Sequence, residues 1–160
     1  MSRPDIEIVA IADGAPDDWT FLKTLSPMEE VVDFWHACAH LAVASDHAVA
    51  RNWFEKYRET LRNDPDGVDK VIRAPRHLHS KAPRAGKAEV ERELAFFRKN
   101  RRRMRYRELK DRSLPIGSGV VETRDSRCAP LYVIERMGVP VAGNPFRALG
   151  VAAFDERFYD

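Results

Sequence analysis

The sequence predicts an α/β protein, predominantly helical, and three observations carry that prediction. Residues Ile6–Ala12 form a run of Ile, Val and Ala with no polar alternation after Glu7, and it stops at Asp13-Gly14-Ala15-Pro16. Such a run suits a strand buried on both faces of a sheet. Between Trp35 and Lys110, apolar residues recur at helical spacing in successive segments. Only one further short run, Val31-Val-Asp-Phe34, has clear strand preference. The sheet is therefore expected to hold one or two strands.

With 160 residues, 44% of them hydrophobic, the chain is long enough for one domain with a real core. The net charge of +2 identifies no partner, but its distribution is uneven. Arg98 to Arg112 holds nine Lys or Arg against two acids, whereas Asp13 to Asp33 is acidic. Two cysteines, Cys38 and Cys128, and no recognisable leader fit a reducing, cytoplasmic setting without a disulfide. No apolar run approaches the ~20 residues of a membrane span, so no membrane partner is expected.

After the first strand, Asp17 or Asp18 is expected to cap a short helix bearing Trp19, Phe21, Leu22 and Leu25. Ser26-Pro27-Met28-Glu29 spells a helix start, yet the β-branched residues that follow favour a short strand there. A helix from about Trp35 to Ala50 comes next. It puts His36, His40 and His47 close to one face, with Leu41, Ala44 and Ala48 on another. A His-x3-His pair can bind zinc, but no cysteine or carboxylate completes a zinc signature, so these histidines read as structural or supporting.

Arg51 to Asn63 repeats Trp53, Phe54, Tyr57 and Leu61 at helical spacing, a core-facing stripe. Asp64-Pro-Asp-Gly67 is a turn, Val68 to Arg73 resumes a helix, and His77 to Gly86 reads as a polar linker. From Lys87 one long helix is predicted to about Lys110, its inner stripe running Val90, Leu94, Phe97, Arg101, Met104. Its early glutamates and late arginines match the helix dipole. The basic residues Arg98, Lys99, Arg101, Arg102, Arg103, Arg105 and Arg107 are too dense for one helix face. They are either a solvated surface or a contact surface for DNA phosphates.

Leu114-Pro-Ile-Gly-Ser-Gly-Val-Val-Glu122 then makes a sharp turn, with Ser118 able to cap a following helix and Glu122 in its opening. Asp13 closes a strand and Glu122 opens a helix. Hard carboxylate oxygens brought together in this way hold Mg2+ or Mn2+ for phosphoryl transfer. Such a site usually takes a third acid. Asp5 sits about 26 Å from Asp13 along the same strand, at ~3.3 Å per residue, so Asp33, ending the next strand, is the better candidate.

Four ordered motifs carry a resemblance: Ile11-Ala-Asp-Gly-Ala-Pro-Asp-Asp-Trp19, Val31-Val-Asp-Phe-Trp-His-Ala-Cys-Ala-His-Leu41, Asn100-Arg-Arg-Arg-Met-Arg-Tyr106 and Ile116-Gly-Ser-Gly-Val-Val-Glu122. Together they resemble the C-terminal part of Kra-type bacterial insertion-sequence transposases, DDE enzymes with an RNase H-like domain. The resemblance implies a partial RNase H-like core over residues 1–34, a helical insertion over 35–112, and a glutamate-bearing segment with a divergent tail over 113–160. It makes Asp13 and Glu122 catalytic metal ligands, with Asp33 and His36 (the Asp-x-x-His motif) and His40 in support. The implied partner is DNA at transposon ends and the implied cofactor is Mg2+ or Mn2+. The family's first aspartate has no match in this sequence, and after Glu122 the family's basic helix is replaced by Thr123-Arg-Asp-Ser-Arg-Cys-Ala-Pro130. A transposase fragment inactive alone, prone to self-association through an exposed sheet edge, is the expectation. The alternatives are a non-catalytic DNA-binding or interaction protein that uses the basic helix, and a helical protein with no nucleic-acid role.

Overall fold

The computed structural model describes residues 7–48, 50–74, 82–117, 131–141 and 144–152. The protein is α/β and mostly helical, and its chain forms two compact units. Met1–Asp33 and Gly117–Asp160 make a sheet unit, and Phe34–Ile116 make a helical unit inserted between them.

In the sheet unit, strand β1 (Glu7–Ala12) is followed by helix α1 (Pro16–Lys23) and strand β2 (Glu29–Val32). β1 and β2 are parallel, in register from Val9 opposite Glu29 to Ala12 opposite Val32. Parallel neighbours need a crossover, and α1 lies in it, burying Trp19 and Leu22. Val9, Ala10, Ile11 and Ala12 are all buried, so β1 is covered on both faces, as its unbroken apolar run requires. Helix α1 begins at Pro16, whose fixed φ suits the first helical position. The expected cap by Asp17 or Asp18 is not what the fold shows. Ala15 occupies the N-cap position, and both aspartates lie in the first turn, where the helix dipole favours them.

The sheet is larger than expected. Its order is β2-β1-β3-β4, with β3 (Leu131–Val141) and β4 (Asn144–Ala152) drawn from the segment read as a divergent tail. β3 runs antiparallel to β1, from Glu7 opposite Arg136 to Ile11 opposite Tyr132. β4 pairs antiparallel with β3, with register shifts between Val133 and Ile134 and between Arg136 and Val141. Gly138 and Pro140 fall within the second shift. Strands of this kind accommodate Pro and Gly at irregularities, which is why the breakers in this stretch hid its strand character.

The helical unit contains α2 (Phe34–His47), α3 (Arg51–Asn63), α4 (Gly67–Arg73), α5 (Lys87–Asn100) and α6 (Tyr106–Asp111). Short 3-10 turns occupy Arg84–Gly86 and Arg101–Arg103. Helix α5 packs against α2 and α4, and α3 against α2, α4 and α6. The interior is built from Leu41, Leu61, Val71, Val90, Leu94, Phe97, Met104 and Tyr106. Phe34 N–H donates to the Ile116 carbonyl at 2.9 Å, so the first and last residues of the unit meet.

The single helix expected from Lys87 to Lys110 is divided. Continued without a break, its inner stripe would carry the Arg101 guanidinium toward the same interior as Val90, Leu94 and Phe97, at a heavy desolvation cost. The 3-10 turn instead leaves the Arg101 side chain 58% exposed and still buries Met104 and Tyr106. Among the described residues, no helix is long and apolar enough to cross a membrane.

Two glycines allow helix contacts that no other residue would. A Cβ on Gly67 would stand 2.4 Å from the Thr60 carbonyl oxygen, and one on Gly86 would stand 2.5 Å from that of His47. Both obstacles are backbone. Gly67→Ala is therefore expected to destabilise the helical unit by about 1–3 kcal/mol, the usual cost of overpacking, read as a lower urea midpoint at unchanged m-value. An unchanged midpoint would show that α3 and α4 are less tightly apposed than described.

Candidate functional site

Two acids of the sheet unit, Asp13 and Asp33, lie where its parallel strands end. Asp13 follows β1 directly, and Gly14, with φ at 103°, turns the chain in a conformation that favours glycine. The Asp13 carboxylate accepts the Ala15 N–H at 2.8 Å, a local turn that fixes its position. Asp33 follows β2, and its N–H donates to the Ala12 carbonyl at 2.8 Å, continuing the ladder. Parallel register thus puts Asp13 and Asp33 at the same end of adjacent strands, which run about 4.8 Å apart. Asp33 is buried, with 8% of its surface exposed.

Sequence reading missed a third acid, Asp18. Burial, a hydrogen bond shared with Asp13, and the charges of Asp13 and Asp17 raise the Asp18 pKa from 3.8 to about 6. A carboxyl so placed holds its proton to a higher pH than a free one, because burial and neighbouring negative charge both disfavour its ionised form. The spacing Asp13-x4-Asp18 gave no hint of this, since burial is the largest cause of the shift and is not written in the spacing.

Glu122 lies outside the described residues, as do Gly119, Ser118 and Cys128, so the expected pairing of Asp13 with Glu122 is not described. Among the described residues, no group of three or more His, Cys, Asp and Glu side chains is arranged to hold a metal ion. Mg2+ commonly binds through one or two carboxylates, with waters and substrate oxygens completing its shell, and Asp13 with Asp18 is chemically suited to that.

His36 and His40 belong to the helical unit, on α2. Their rings meet edge to face, with centroids 5.0 Å apart. His40 stacks on Phe96 of α5 at 3.6 Å and 19°, and its Nδ1 pairs with the Glu93 carboxylate. His36 sits edge-on to Phe96 at 6.0 Å. Glu93 is buried at 7% exposure, and its other oxygen lies 3.7 Å from Arg92 Nε. This second residue missed by sequence reading ties α5 to α2. A helical register alone gives an acid in that position no reason to be inside.

The basic run is distributed over the end of α5, the 3-10 turn and α6. Arg98 pairs with Glu91. Arg101 grips Asp69 of α4 with both ends of its guanidinium, Nε–Oδ1 at 2.5 Å and Nη2–Oδ2 at 2.8 Å, and the Asp69 carboxylate raises the Arg101 pKa. Arg105 pairs with Glu108 at 3.1 Å. Arg107 Nε meets both Asp111 oxygens at 2.9 Å, and its Nη1 donates to the Asn63 carbonyl at 3.3 Å. Arg103 Nη1 reaches Asn100 Oδ1 at 3.5 Å.

Charge divides along the same boundary as structure. The helical unit holds twenty Lys and Arg against eleven Asp and Glu, a net +9. The sheet unit holds seven against fourteen, a net −7, and the two together give the +2 of the whole chain.

Two outcomes follow from this geometry. Because the folded pKa of Asp18 is raised, its contribution to stability is complete below about 3.8 and is lost as pH rises through about 6. Urea unfolding across that interval should show a steeper loss of stability in the native protein than in Asp18→Asn, and equal slopes would remove the carboxylate pair. In the helical unit, His40→Ala leaves Glu93 without its main partner and should cost about 1–3 kcal/mol. A Glu93→Gln background should shrink that cost, and full additivity in the double-mutant cycle would deny the pairing.

Comparison with protein-family models, curated proteins and solved structures finds no match for this chain.

Proposed function

We propose that this chain is part of a DDE-type enzyme that cleaves and joins DNA, with an RNase H-like sheet unit carrying the acids and the helical unit holding the DNA. The observation that supports it best is the segregation of charge: a +9 helical unit interrupts a −7 sheet unit in which Asp13 and Asp33 end the two parallel strands. Ligands of open α/β sheets commonly bind at the carboxyl ends of parallel strands.

Asp13 and Asp18, with Glu122 from beyond the described residues, would hold Mg2+ or Mn2+. When bound, the metal supplies Lewis-acid stabilisation of phosphate oxygens and a nucleophile at neutral pH. Asp13 is held for this by its own turn, and a cation there would offset the mutual repulsion of the Asp13 and Asp18 carboxylates that helps raise the Asp18 pKa. Asp33 sits beside Asp13 at the strand ends and braces it through the backbone bond to Ala12. His36 and His40 contribute by fixing α2 to α5. Basic residues of the helical unit neutralise DNA phosphates.

The second reading, DNA binding without catalysis, draws on the net +9 of the helical unit alone. One experiment addresses both. Fluorescence anisotropy with a labelled duplex should give binding at ~50 mM salt that weakens steeply as salt rises, in the wild type and in Asp13→Ala alike. Since the sequence matches two of the family's three acids, the chain alone is expected to leave supercoiled DNA intact in Mg2+. Cleavage lost on Asp13→Ala would overturn the inactivity. No binding at ~50 mM salt would overturn the DNA reading altogether.

A further inference from the structure

The arginine-rich run looks uniform in sequence, but its members differ in what they are already doing. From Leu94 through Arg107 there is no acidic residue, so every ion pair in this stretch has to come from elsewhere. Arg101 finds Asp69, thirty-two positions away on α4, and binds it with two parallel contacts. Arg107 joins Asp111 to the carbonyl of Asn63 at the end of α3. These two side chains cross-link separate helices. Arg98 and Arg105 make pairs within their own segment, with Glu91 and Glu108. Exposed pairs of that kind are worth little.

Lys99 and Arg102 are different. Both are exposed, and neither makes an ion pair with a described residue. Lys99 is in the last turn of α5 and Arg102 in the 3-10 turn that follows, three positions on, across the break at Asn100. The Arg101–Asp69 grip anchors the turn from which both extend.

Resting on the DNA-binding reading above, we infer that Lys99 and Arg102 are the phosphate-binding residues of the run, while Arg101 and Arg107 are positioning residues that hold the turn in place. A cation with no ion pair among the described residues surrenders none of those pairs when it meets a phosphate. Arg101 would have to abandon a two-pronged carboxylate first. The ligand class is the sugar-phosphate backbone of duplex DNA, with no base read directly by these two side chains.

Salt dependence of duplex binding tests this with the full chain. Each phosphate neutralised contributes about 0.9 to the slope of log Kobs against log salt, so Lys99→Ala with Arg102→Ala should flatten the slope by about 1.8 and leave the melting temperature unchanged. Arg101→Ala should lower the melting temperature, and its slope should change by less than one contact's worth. Wild-type binding with an unaltered slope in the Lys99/Arg102 double variant would overturn the inference and leave the DNA reading standing. So would a full loss of one contact in Arg101→Ala at unchanged melting temperature. A wild-type chain that binds no duplex would overturn both.

Discussion

A strand buried on both faces has to satisfy four neighbours at once, and β1 sets that condition for the sheet unit. Its four residues Val9–Ala12 leave no surface to water, so each edge needs a hydrogen-bonding partner and each face a cover. β2 answers on one edge in parallel and β3 on the other in antiparallel. Parallel pairing then forces a crossover through α1, and the crossover brings Asp18 back to Asp13. The carboxylate pair is a by-product of the topology that a buried first strand demands.

What could be read from the chain, and what could not, follows from how local each cause is. The strand at Ile6–Ala12, the stop at Asp13-Gly14 and the core stripe of α3 are written in consecutive residues, and each is visible there. Asp33 was legible as a strand-ending acid because Val31-Val32 precedes it. The second pair of strands was not, since Gly138, Pro140 and Pro145 break the alternation that marks a strand, and pairing with β1 overrides them. Asp18 and Glu93 were invisible for a related reason. Glu93 meets His40 from a distant segment only on folding, and Asp18 is buried only once α1 has packed. Glu122 lies outside the described residues.

Arginine density has a similar lesson. Composition identifies a basic surface but not its free cations, because a guanidinium closed on Asp69 and one facing water are the same letter. The break after Asn100 has the same origin. Periodicity alone continues the helix through Arg101, whereas the cost of moving a charge inward tightens it into a 3-10 turn.

The hydrogen bond from Phe34 N–H to the Ile116 carbonyl has a consequence for how such a chain can change over time. Eighty-three residues depart and return through two adjacent positions, Phe34 to Ile116. For the sheet unit, the whole excursion is topologically a short loop, and loop-closure entropy rises only slowly with the length of what is looped out. Helices could be lengthened, traded or deleted beyond that doorway without altering the register of β1 and β2. The helices and the strands can therefore diversify at separate rates.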